Sequence, residues 1–229
     1  ILKIQKISVF ALPLVLAGCS SSKYVPEGEY ILNKVEMESD SADYDAGALK
    51  QYVRQKEKPK LFSLFKNPFS RKPVIYDTLQ ARLTCQDLVK AMQNQGFMHA
   101  GVSLNTTTEG KKLDAKYILH PGIPYVMGKV EYEVEDENIQ NILHLDDPDN
   151  QNLKPGMRFS VEALDNERKR IANLLMDDGY FRFNKDFIYF SADTIAGQND
   201  IALTLHLTKY KASSNAPETD HPRYQIRNI

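Results

Sequence analysis

The stretch Ala172-Asn173-Leu174-Leu175-Met176-Asp177-Asp178-Gly179-Tyr180-Phe181-Arg182-Phe183 reads as the end of an apolar helix, a glycine stop and an aromatic entry into a strand. The same device stands upstream as Leu88-Val89-Lys90-Ala91-Met92-Gln93-Asn94-Gln95-Gly96-Phe97-Met98-His99. One copy is an ordinary helix end. Two copies, each set in a longer matching pattern, indicate a tandem module.

The strand openings supply the second anchor of the repeat. Tyr30-Ile31-Leu32-Asn33-Lys34-Val35-Glu36 and Tyr125-Val126-Met127-Gly128-Lys129-Val130-Glu131 lie 95 residues apart and share Tyr, two apolar residues, Asn or Gly, then Lys-Val-Glu. Tyr224-Gln225-Ile226-Arg227-Asn228-Ile229 keeps the Tyr and two of the apolar positions, as a third unit would. In the first unit a strand over 30–38 is followed by a helix over 43–55, with Leu49, Tyr52 and Val53 on one face. A second helix is expected from about Thr84, capped with Asp87, to Gln95; Leu88, Val89 and Met92 line its buried face, and Cys85 is a buried thiol rather than a nucleophile. Strands over 98–105 and 113–120 flank a turn at Thr108-Glu109-Gly110-Lys111. The second unit repeats this order: a short helix over 138–145, then a helix from the N-cap Ser160 to about Asp178. Val161, Leu164, Ile171, Leu174 and Leu175 form its apolar face, and Glu167, Arg168, Lys169 and Arg170 read as the solvated one. Strands over 186–191 and 201–208 close the unit.

Each unit is therefore β-α-α-β-β. With both helices on one face, the third strand pairs parallel to the first and antiparallel to the second. The fold class is α+β, with two three-stranded mixed sheets of order 1-3-2, each covered by two helices. The second strand of each unit keeps an unpaired edge, which can accept an extended chain by β-augmentation.

Residues 1–19 read as a targeting segment. Lys3 and Lys6 precede a ten-residue apolar run, Ile7 to Leu16, too short to span a bilayer. Leu16-Ala17-Gly18-Cys19 resembles the bacterial lipobox, which implies cleavage between Gly18 and Cys19 and acylation of Cys19. Several acyl chains anchor a protein stably where one does not. Ser20 after the Cys implies, by the sorting rule of such lipoproteins, the outer membrane. Residues 20–29 are a polar tether, and 211–223, rich in Ala, Ser, Asn and Pro, read as a linker. The start at Ile1 and the strand-like end at Ile229 suit a piece of a longer protein.

Residues 56–76 interrupt the first unit. From Arg54 to Lys72 there are seven Lys or Arg and one Glu, interleaved with Leu61, Phe62, Leu64, Phe65 and Phe69. Lys60, Phe62, Phe65, Lys66, Phe69 and Arg71 are the candidate membrane or partner contacts of this loop. The alternative packs the rings on their own domain and leaves the lysines solvated. Glu131 to Asp149, by contrast, carries eight acidic residues and no Lys or Arg, and its Asp-rich loop lacks the Gly and terminal Glu of an EF-hand.

A β-α-α-β-β repeat with an aromatic after the glycine of its second helix resembles the POTRA (polypeptide-transport-associated) domains of the Bam and Tam outer-membrane assembly proteins. With the lipobox, the Tyr24-Val25-Pro26-Glu27-Gly28-Glu29-Tyr30 stretch and the Lys58-Pro59-Lys60-Leu61-Phe62 loop, the chain resembles the TamA-like lipoproteins (TamL) of Bacteroidetes. The resemblance implies a lipid-anchored, periplasm-facing arm: signal peptide 1–19, tether 20–29, POTRA-like units 30–123 and 124–211, and over 212–229 a linker and the first strand of a third. It implies unfolded outer-membrane clients, a TamB-like periplasmic partner and outer-membrane lipids as partners, and a β-barrel further along the chain.

The candidate polypeptide-binding residues are those of the edge strands: His99, Gly101, Ser103 and Asn105 in the first unit, Asp186, Ile188 and Phe190 in the second. A net charge of −1 gives no basic surplus for nucleic acid. The five histidines show no metal-ligand spacing, and neither a Gly-x-Ser-x-Gly nor a phosphate loop is present. No catalytic residue, metal or cofactor is expected. A structural lipoprotein tether without client handling is the alternative function.

Overall fold

A computed structural model describes residues 25–57, 73–145, 147, 150–194, 198–225 and 227. Cys19, Gly18 and the loop residues Lys60, Phe62, Phe65, Lys66, Phe69 and Arg71 lie outside the described residues.

The first unit holds β1 (Ile31–Ser39), a 3-10 turn (Ala46–Tyr52), α1 (Thr78–Asn94), β2 (Gly101–Glu109) and β3 (Lys112–His120). The second holds β4 (Val126–Glu133), α2 (Glu137–Leu143), α3 (Val161–Asp177), a 3-10 turn (Lys185–Phe187), β5 (Ile188–Thr194) and β6 (Asp200–Leu207). The sheets have the orders β1-β3-β2 and β4-β6-β5. In each, the outer strands flank a central one, parallel on one side and antiparallel on the other. This is the expected α+β repeat.

The repeat extends to irregularities. Both opening strands slip register at the position of the Asn or Gly, between Leu32 and Lys34 and between Met127 and Val130. Both then pair briefly with the segment that precedes the long helix, Ile31 with Ile75 and Val126 with Arg158. Asp77 caps α1 by accepting from the amides of Leu79 and Gln80, and Ser160 caps α3 by accepting from Ala163. Both long helices end alike. Phe97 N–H donates to Met92 and Gly96 N–H to Gln93; Tyr180 N–H donates to Leu175 and Gly179 N–H to Met176. These are Schellman ends with glycine at φ +95° and +98°. Phe97 and Tyr180, just past the glycines, are buried with Met92 and Leu175 in their unit's core.

Several expectations are corrected. The segment 43–55 is not an α-helix but the 3-10 turn Ala46–Tyr52; Leu49 and Val53 still face the core, while Tyr52 is largely exposed. The second helix starts at Thr78, not Thr84. Thr84 is interior to it, its hydroxyl donating to the Gln80 carbonyl and accepting from the Arg54 amide. The turn after β2 has two residues, Gly110 and Lys111, rather than four. Glu167 is not solvated. It stands one turn before Ile171, on the apolar face, and is fully buried. Arg170 binds both of its oxygens, and Tyr132 Oη donates to it at 2.9 Å. Burial and the Glu167 carboxylate raise the Tyr132 phenol far above its ordinary range.

The linker is also docked. Tyr210 pairs with Thr219, and His221 is buried edge-on to Phe183 and Phe187. Its Nε2 lies 2.8 Å from the Thr208 carbonyl, which can only accept, so that nitrogen carries the proton. Arg223 Nε donates to the Asp178 carbonyl at the end of α3, and its Nη2 lies 2.8 Å from the covered Oδ2 of the partly exposed Asp178 carboxylate as an ion pair not aligned as a hydrogen bond. The composition that reads as a linker lacks large aliphatic residues, so the contacts made by His221 and Arg223 leave no periodic signal.

Candidate polypeptide-binding edges

β2 pairs with β3 and β5 with β6, and among the described residues neither has a strand on its other side. Which backbone groups face outward follows from the ladder. Gly110 at φ +57° and Lys111 join β2 to β3 in a two-residue turn, so Glu109 and Lys112 form its closing hydrogen-bonded pair. Alternation from that pair turns the amides of Val102, Leu104, Thr106 and Thr108 away from β3. The Leu119 carbonyl agrees: it accepts from Asp40 next to β1, not from β2. In the second unit, Thr208 N–H donates to the Phe187 carbonyl, which turns the amides of Ile188, Phe190, Ala192 and Thr194 outward.

The candidate residues separate accordingly. Ile188 and Phe190 carry outward backbone, while their side chains pack inward, Ile188 fully buried. Gly101, Ser103 and Asn105 lie on β2 as expected, but their amides face β3. Asp186 belongs to the 3-10 turn before β5, where its carboxylate accepts from Arg168 at 3.4 Å. His99 precedes β2 in a turn, and its Nε2 lies 3.0 Å from Tyr125 Oη, at the junction of the units. Period-two alternation finds a strand but is blind to which amides its neighbour uses. That parity is set by the turn.

A feature the sequence leaves out flanks β5. A cleft of about 690 Å³ lies between the units, lined by Tyr52, Ala91 and Gln95 of the first and by Leu164, Arg168 and Phe190 among others of the second. Tyr52, Val161 and Tyr189, three of the exposed large apolar side chains, also line it. On its α3 wall Asp165 is held by Lys169 and Lys185 at 2.7 and 2.6 Å, and hydrogen bonds from these two ammonium groups lower its carboxyl to about 2. Its negative charge is compensated in place, and the cleft as a whole is lined by both apolar and polar side chains. Cys85 is half-buried against the first core, and burial pushes its thiol up, away from the reactive thiolate.

The exposed sheet faces carry a matching polar network in both units. Lys34 pairs with Glu36 and Lys129 with Glu131. His120 bridges Asp40 and Ser103, and His206 bridges Glu133 and Ser191. Asp40 and His120 are 80 residues apart in sequence, so only the strand register brings them together.

No protein-family model and no curated protein sequence matches the chain. Among solved structures, POTRA domains 3–5 of BamA from Haemophilus influenzae match at 12% identity and a TM-score of 0.41, over 80% of this chain and 68% of that one. The N-terminal domain of Omp85 from Thermosynechococcus elongatus matches at 12% identity and a TM-score of 0.36, over 86% and 81%. BamA from Haemophilus ducreyi lacking POTRA domains 1–3 matches at 12% and 0.40, and the chain spans only 29% of it. At such values the strand order of the chain itself, not these neighbours, carries the fold. No helix among the described residues is long and apolar enough to cross a membrane.

Proposed function

We propose that the chain is a non-enzymatic, periplasm-facing arm of two POTRA-like units that holds extended polypeptides in transit to the outer membrane. The observation that supports this most is the pair of edges, β2 and β5, at the same place in both units and without a further strand among the described residues. An extended client adds a strand through main-chain hydrogen bonds, so its sequence preference is weak. Beside β5 the intermodular cleft receives the client's apolar side chains.

In this reading the acylated Cys19 ties the arm to outer-membrane lipid, and the loop 56–76 lies at the membrane or on a partner, with a TamB-like protein as candidate. A third unit begins at Tyr224 and a barrel lies further along. The TamL-like assignment rests on the lipobox and the tether motif, together with the repeat.

Crosslinking tests the client role. A photo-reactive residue at Tyr189 or Asn105 is expected to capture a peptide of alternating apolar and polar residues. Thr106→Pro and Ala192→Pro each remove one outward N–H on an exposed edge position and leave the inner ladder intact. Capture is expected to fall at the edge that carries the proline and to persist at the other. Capture undiminished in the double variant refutes edge binding and leaves the structural tether.

A further inference from the structure

We propose that Ser103 and Ser191 are activated nucleophiles, one in each unit, that accept acyl or phosphonyl groups from activated donors. Ser103 Oγ lies 2.8 Å from His120 Nε2, and His120 Nδ1 lies 2.6 Å from Asp40. Ser191 Oγ lies 2.8 Å from His206 Nε2, and His206 Nδ1 lies 3.0 Å from Glu133. A carboxylate only accepts, so in both units Nδ1 carries a proton, and in the neutral ring Nε2 accepts from the serine hydroxyl. Hydroxyl, imidazole and carboxylate stand in the order that makes a serine nucleophilic.

The register reproduces this arrangement twice. Ser103 pairs with Ile118 and Ser191 with Thr204, and each histidine lies two residues further along the central strand. Glu38 pairs with Ile118 and Glu131 with Thr204, and each acid lies two residues further along the opening strand. Both serines are exposed. His206 is additionally stacked on Tyr189, ring centroids 4.7 Å apart, which fixes its plane.

With an activated ester, Oγ bonds to the acyl carbon, its proton passes to Nε2, and the bond to the leaving alkoxide breaks as that alkoxide takes the proton. The Ser103 and Ser191 amides face the neighbouring strand and offer no donor to the oxyanion. Acylation is therefore limited to activated donors, whose good leaving groups drive adduct formation, while hydrolysis of the adduct, an unactivated ester, is slow. With a fluorophosphonate, phosphorus takes Oγ and fluoride leaves.

The test is labelling of the intact chain with a fluorophosphonate, followed by peptide mapping. Ser103 and Ser191 are expected to label at least about 100-fold faster than other exposed serines, as a positioned general base provides. His120→Ala is expected to abolish the adduct at Ser103 only, and His206→Ala that at Ser191 only, so each unit controls for the folding of the other. No adduct at either serine, or adducts that persist without the facing histidine, overturns the proposal.

Discussion

The amide of Tyr125 donates to the carbonyl of Gly96 at 2.8 Å, fastening the opening strand of the second unit to the helix end of the first. The amide of Tyr224 makes the same bond to Gly179 at the same length. The junction adds Arg158 over the Phe97 ring at 5.8 Å, and its copy adds Arg182 over Tyr224 at 5.7 Å. The helix–glycine–aromatic device thus ends a helix and seats the chain that follows.

Gly96→Ala tests the double role. At φ +95° a Cβ at Gly96 would stand 2.3 Å from the Phe159 carbonyl oxygen, which belongs to the next unit. The left-handed backbone alone costs about 1–2 kcal/mol, and the clash adds to it, so a loss of at least about 3 kcal/mol is expected. Gly122→Ala, at φ +70° with open space around it, is expected to show only the backbone cost. Denaturant unfolding of the two variants checks the difference; equal losses would remove the packing argument.

Glu167→Ala is expected to cost about 3 kcal/mol, because it strands Arg170 and the Tyr132 hydroxyl beside a buried void. Glu162→Ala, exposed on the same helix, is expected to change stability by less than about 0.5 kcal/mol. Thermal unfolding of both variants makes the comparison.

Asp165 predicts a pH dependence. Its carboxyl is lowered from 3.8 to about 2 by hydrogen bonds from Lys169 and then Lys185. A lowered folded-state value means that the unfolded chain takes up the proton first as pH falls. The stabilisation is present above the unfolded value near 3.8 and is lost as pH falls toward about 2. The midpoint of thermal unfolding is expected to drop across that window, and less steeply in Asp165→Asn. Parallel curves for the two proteins would contradict the assignment.

The sequence made the repeat legible because its anchors are local. A glycine after an apolar helix, a Tyr at a strand opening and period-two alternation all act over a few residues, and they were enough for the 1-3-2 sheet order. Burial of Glu167 was hidden because its compensation comes from Tyr132, 35 residues away, and a charge run on a helix ordinarily faces water. Docking of His221, the Ser–His–acid networks and the cleft beside β5 share that cause: each is made by register or by the junction of units. Alternation alone places His99 and Asp186 on edge strands because it continues past a strand's end, where the turn at His99 and the 3-10 geometry at Asp186 interrupt the ladder.

Amide hydrogen exchange, read residue by residue with and without a peptide of alternating apolar and polar residues, tests edge capture most directly. In the free protein the outward amides of Leu104, Thr106, Phe190 and Ala192 are expected to exchange fast, and those of Ser103, Asn105, Tyr189 and Ser191 slowly. Saturating peptide is expected to slow the outward set at one or both edges and leave the inward set unchanged. Peptide binding that leaves every outward amide as fast as before would contradict β-augmentation.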